Sequence, residues 1–88
     1  MSIWCRNVLN VAMPLDRIRA TQLKALGANI RRERVSQGIS QERLGEMASL
    51  HPRTIQKIEA GRVDILYTTF IRIQRALRSS WEKLMGKP

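Results

Sequence analysis

The chain has 88 residues, enough for one domain with one modest core. It is 43% hydrophobic and 26% charged, which excludes a wholly disordered polymer. Sixteen Lys and Arg against seven Asp and Glu leave a net charge of +9, so the partner to look for is a polyanion: nucleic acid first, an anionic membrane second.

Residues 1–14 carry little periodic signal and end in Met13-Pro14. They read as an N-terminal extension or arm ahead of a domain at 15–88. From about Asp16 the pattern turns helical, with Leu23, Leu26, Ile30 and Val35 close to one face and Arg17, Lys24, Arg31 and Arg32 around it. Gly27 weakens this segment slightly, and Gly38 supplies the left-handed residue that commonly ends a helix. Ser40 is the N-cap of a second helix, where Glu42 suits the positive helix end and Leu44, Met47 and Ala48 form a short inward face.

Ser49-Leu50-His51 is a tight connection, and Pro52 stands where a first helical residue needs no N–H. The third helix runs through Ile55 and Ile58 to Gly61. Tyr67, Phe70, Ile73 and Leu77 form the inward stripe of a fourth, and Ser80 caps a short fifth helix that Gly86 ends. The expected fold is all-α, with five helices.

Residues 40–61 are a short helix, a tight turn and a second helix, the arrangement that can lay one helix over a DNA backbone and set the next in the major groove. At about 100° per residue from Pro52, Ile55 and Ile58 fall near 300° and 240°. Gln56, Arg53 and Lys57 fall near 40°, 100° and 140°, on the other side. An amide reads adenine, and Arg or Lys donates to guanine O6 and N7. A solvated helix surface carries the same residue types, so this helix alone leaves both readings open.

The surrounding residues add a resemblance. Asn29-Ile30-Arg31, Arg34, Gly38-Ile39-Ser40-Gln41-Glu42, Leu44, Ile55, Ile58-Glu59 and Gly61 are spaced as in the lambda-repressor-like family, also called the Xre or Cro/repressor helix-turn-helix family. The similarity continues through Ile73, Ala76-Leu77, Ser80 and Leu84, and in size the chain resembles restriction–modification controller proteins. The resemblance implies a five-helix domain that regulates transcription by binding an operator. It implies base reading by Pro52, Arg53, Gln56 and Lys57, and phosphate contacts from Gln41, Thr54 and Arg62. It also implies an ion pair of Arg34 with Glu59, structural in role. The chain departs from the family pattern at Pro52, which removes a polar base contact, and at His51, which predicts a weaker cap for helix 3. Arg78 stands where a helix-ending glycine is common, and Ile65 and Leu66 replace the usual proline and polar cap before helix 4.

A lone unit touches one face of the major groove, so a homodimer on a palindrome in double-stranded DNA is expected, with half-site centres about 34 Å apart. Ile65, Leu66, Ile71, Trp81 and Met85 remain once the core stripe is filled and are the expected interface, with capping of the small core as the alternative for Trp81. An antitoxin that binds a toxin as well as its own operator is the alternative function.

Enzymatic, metal and membrane roles are not expected. One histidine, His51, and one cysteine, Cys5, with scattered carboxylates provide neither a triad nor a metal cluster, and no cofactor or small-molecule ligand is implied. The single cysteine suits a reducing cytosol, and the apolar stretches fall far short of the ~20 residues of a membrane span. The first residues lack the apolar core of a secretory signal, and the apolar positions, Trp4 apart, serve helix packing rather than a membrane-seeking face. A cytoplasmic location is expected.

Overall fold

The computed structural model describes residues 15–86; the expected arm at 1–14, with Trp4 and Cys5, lies outside the described residues. Five helices follow one another: α1 (Leu15–Ser36), α2 (Gln41–Ala48), α3 (Pro52–Glu59), α4 (Tyr67–Leu77) and α5 (Trp81–Met85). No strand occurs among the described residues. The all-α reading is correct.

Local chemistry sets most of the helix ends. The Ser40 hydroxyl accepts from the Arg43 N–H at 2.9 Å, and that of Ser80 from the Lys83 N–H at 3.2 Å. Gly38 and Gly61 both have φ of +71°, as their places after α1 and α3 anticipate. Leu66 precedes α4 as an N-cap without a side-chain hydrogen bond, and Arg78 follows it as the C-cap at φ 54°. The helix is therefore closed by a left-handed residue that carries a Cβ, which costs about 1–2 kcal/mol relative to a relaxed backbone.

His51 corrects the expectation of a poor cap. Its Nδ1 accepts from the Arg53 N–H at 3.0 Å, so the imidazole does the work of the usual Ser or Thr hydroxyl. Replacing His51 by Ala is expected to cost about 1 kcal/mol, read as a lower urea midpoint, with His51→Asn restoring most of it. An Ala variant with the wild-type midpoint would show that the cap adds no stability.

Ile30, Leu44, Ala48, Ile55, Ile58, Phe70, Ile73, Leu77 and Leu84 form the core, with all five helices contributing. Three residues read as inward are exposed. Val35 is 56% exposed because it lies about 140° around α1 from Ile30, and Arg34 takes the inward position instead. Met47 sits at the edge of the α2 face, 41% exposed. Tyr67, at the first position of α4, is 69% exposed and stacks on Trp81, with ring centroids 6.5 Å apart.

Gly27 also differs from its sequence reading. It is buried, and a Cβ there would lie 2.4 Å from the Ile58 carbonyl oxygen and 2.6 Å from that of Glu59. The propensity cost in α1 is exchanged for close approach to the end of α3.

Two polar clips hold the outer helices. Buried Asn29 donates to the Leu84 and Gly86 carbonyls at 2.9 and 2.8 Å, while Arg32 donates to Lys83 O at 3.0 Å. These contacts satisfy carbonyls at the end of α5 that the short helix leaves unpaired. Arg72 of α4 donates to Ala48 O at 3.0 Å and to Ser49 O, closing the C-terminus of α2 in the same way.

Candidate nucleic-acid interface

The geometry begins at the α2–α3 turn. Ser49 adopts the left-handed conformation at φ 58°, and the Leu50 N–H reaches back to Gly45 O at 2.7 Å. A Cβ on Gly45 would lie 2.5 Å from Leu50 O, so the chain can reverse this tightly only beside a glycine. The result is a helix-turn-helix in which α3 packs with Ile55, Ile58 and Glu59 inward.

The outward face of α3 carries Arg53, Gln56 and Lys57, all exposed, with Pro52 and Thr54 half-buried beside them. Arg62, just beyond the helix, is exposed as well. Neither Arg53, Lys57 nor Arg62 forms an ion pair with another described residue. α3 thus presents positive charge and one amide to solvent, with no acidic side chain on that face.

A four-residue network fixes this helix in place. Arg34 Nε donates to Glu59 Oε2 at 2.6 Å and Nη2 to Oε1 at 3.1 Å, a two-pronged contact, while Nη1 holds Ile39 O at 2.9 Å. Gln41 Nε2 adds a third donor to Glu59 Oε1 at 3.0 Å. The Glu59 side chain is 3% exposed and that of Arg34 12%. The carboxylate is desolvated but receives charge-assisted hydrogen bonds in return. Through it α1, the start of α2 and the end of α3 are joined, so the angle at which α3 stands is tied to two other helices. Gln41 spends one amide N–H on this brace and keeps a second for an outside acceptor.

The residues expected at a dimer surface do not form a uniform set. Leu66 is 71% exposed and Met85 67%, whereas Ile65 is partly buried against the core and Ile71 is half-buried. Trp81 does two things: one part packs on Phe70 with centroids 5.2 Å apart, and 41% of the residue remains exposed. Tyr67, stacked on Trp81, enlarges this apolar surface, a contribution that its place in the helical stripe concealed. An open groove of about 510 Å³ between α1, α4 and α5 adjoins it.

Residues 30–84, more than half of the chain, match the profile of the family described as helix-turn-helix. The chain belongs to the helix-turn-helix family. It has the lambda-repressor-like, all-helical form of this DNA-binding fold. Among solved structures the protein is similar to the restriction–modification controller protein C.AhdI from Aeromonas hydrophila, with a TM-score of 0.70 at 23% identity over 73% of this chain and 97% of that one. It is also similar to the clp gene regulator ClgR from C. glutamicum, with a TM-score of 0.70 at 25% identity over 73% of this chain and 82% of that one. No curated protein matches the chain in sequence. No helix among the described residues of this helix-turn-helix protein is long and apolar enough to cross a membrane.

Proposed function

We propose that the protein is a sequence-specific transcription regulator that binds a palindromic operator in double-stranded DNA as a homodimer in the cytoplasm, without catalysis. One observation carries this reading: α3 buries its apolar side, is locked at its end through Glu59, and leaves Arg53, Gln56 and Lys57 unpaired on one exposed face. The major groove, about 12 Å wide, accepts one α-helix. Seated there, Arg53 and Lys57 donate to guanine edges and Gln56 pairs with adenine. Pro52 fixes the start of the helix against the groove. The second N–H of Gln41, the Thr54 hydroxyl and the Arg62 guanidinium hold phosphates on either side, setting register without reading sequence. The similarity to the clp gene regulator ClgR, at 25% identity, supports a regulatory role.

Pairing through the exposed surface of Leu66, Trp81 and Met85, with Ile65 and Ile71 at its margin, would bring two such helices to adjacent turns of one duplex. Selection of bound duplexes from a random pool tests the reading. It should enrich an inverted repeat with half-site centres about one helical turn apart. A pool that yields no common sequence would overturn sequence-specific recognition, and an enriched single half-site would overturn the dimer.

A further inference from the structure

We infer that Arg31, on α1, contacts the DNA backbone, so that the first helix forms a wall of the interface beside α2 and α3. The inference deepens the DNA-binding reading and rests on it. The C-terminal half of α1 holds three arginines within four positions, at 31, 32 and 34, and their side chains have different fates. Arg34 is engaged by Glu59 and Ile39 O. Arg32 is engaged by Asn29 Oδ1 at 3.1 Å and Lys83 O at 3.0 Å. Arg31 is exposed and makes no side-chain hydrogen bond or ion pair with any described residue, leaving all five guanidinium N–H groups to solvent.

Its position gives that free charge a use. Arg31 lines an open groove of about 480 Å³ together with Ser40, Gln41 and Gln56. Arg34 and Glu59 line the same groove and cancel each other's charge, so Arg31 supplies its net positive charge. Gln41 points one amide group at Glu59 and has a second N–H to give. Gln56 belongs to the exposed face of α3. A phosphodiester running past the start of α2 would meet the Gln41 amide and the Arg31 guanidinium from two helices at once. Arginine suits such a partner because its planar fork matches phosphate oxygens. The contact would position the duplex without reading bases.

The test is an equilibrium titration of the full chain with an operator duplex and a scrambled duplex over a series of salt concentrations. Arg31→Ala should weaken both duplexes by the same factor, roughly tenfold per protomer at low salt, and make the slope of log affinity against log salt shallower by about 0.9 per protomer, about 1.8 for a bound dimer. Arg31→Lys should keep the wild-type slope. Arg75→Ala, which removes an exposed arginine from α4, should leave affinity and slope unchanged. The Arg31 variants should melt with the wild type, since the side chain braces nothing. An Arg31→Ala chain with wild-type affinity and slope, in a wild type that binds DNA, overturns the α1 contact and leaves the reading of α3 standing. A loss confined to the operator, or an equal loss for Arg75→Ala, also overturns it. A wild-type chain that binds neither duplex overturns both.

Discussion

Replacing Arg34 by Ala is expected to destabilise the fold by about 3–5 kcal/mol, more than Glu59→Ala does. The asymmetry follows from burial. Without Arg34, the Glu59 carboxylate loses two of its three donors while its side chain is 3% exposed, and only the Gln41 amide remains. Without Glu59, the Arg34 guanidinium keeps its bond to Ile39 O and can move its head toward water along a long stem. The double variant removes both charges together, so its loss should be smaller than the sum of the two single losses by about 1–3 kcal/mol. Chemical unfolding of the four proteins in the cycle measures this. Strict additivity would mean that the two side chains do not stabilise each other. Because the network also holds the end of α3, Glu59→Ala should loosen DNA binding even at temperatures where the variant is folded.

Leu66→Glu should abolish the proposed pairing, sedimenting as a monomer, and lower operator affinity by roughly 10²–10⁴-fold, the advantage that linking two half-site contacts provides. Leu66 is the better probe because it is 71% exposed and packs against little within its own chain. A carboxylate there costs the monomer almost nothing, and its place just before α4 favours negative charge. At a two-fold interface each chain would place the new charge in an apolar contact with its partner, which is costly. Ile71, half-buried, would mix loss of pairing with loss of folding. Sedimentation at micromolar concentration reads the outcome. A Leu66→Glu protein that stays dimeric would move the interface to another surface.

What the sequence revealed and what it hid divide along physical lines. Ser40, Ser80, Pro52, Gly38 and Gly61 act on the backbone within one turn of themselves, so they could be read directly as helix ends. The stripe of Phe70, Ile73 and Leu77 was legible because helical period alone decides which side faces inward. Gly27 was misread because its role depends on the carbonyls of Ile58 and Glu59, some 30 residues away in sequence. His51 was misread because an imidazole caps only in the backbone geometry that places Nδ1 toward the Arg53 N–H. Val35, Met47 and Tyr67 were assigned inward by type, although their angles or end positions put them at the rim. The face of α3 was legible as a pattern, but its freedom from ion pairs was not. Likewise, three nearby arginines on α1 look alike until their partners are seen.

Whether the outward face of α3 reads base sequence is measured most directly by comparing operator with scrambled DNA for Arg53→Ala and Lys57→Ala. Each variant is expected to lose about 1–3 kcal/mol on the operator and far less on the scrambled duplex, so that the ratio of the two affinities falls. Arg62→Ala provides the contrast, weakening both duplexes nearly equally with a salt slope shallower by about one unit per protomer bound. Equal losses on operator and scrambled DNA for both Arg53→Ala and Lys57→Ala would overturn base reading, since α3 would then be holding the duplex rather than reading it.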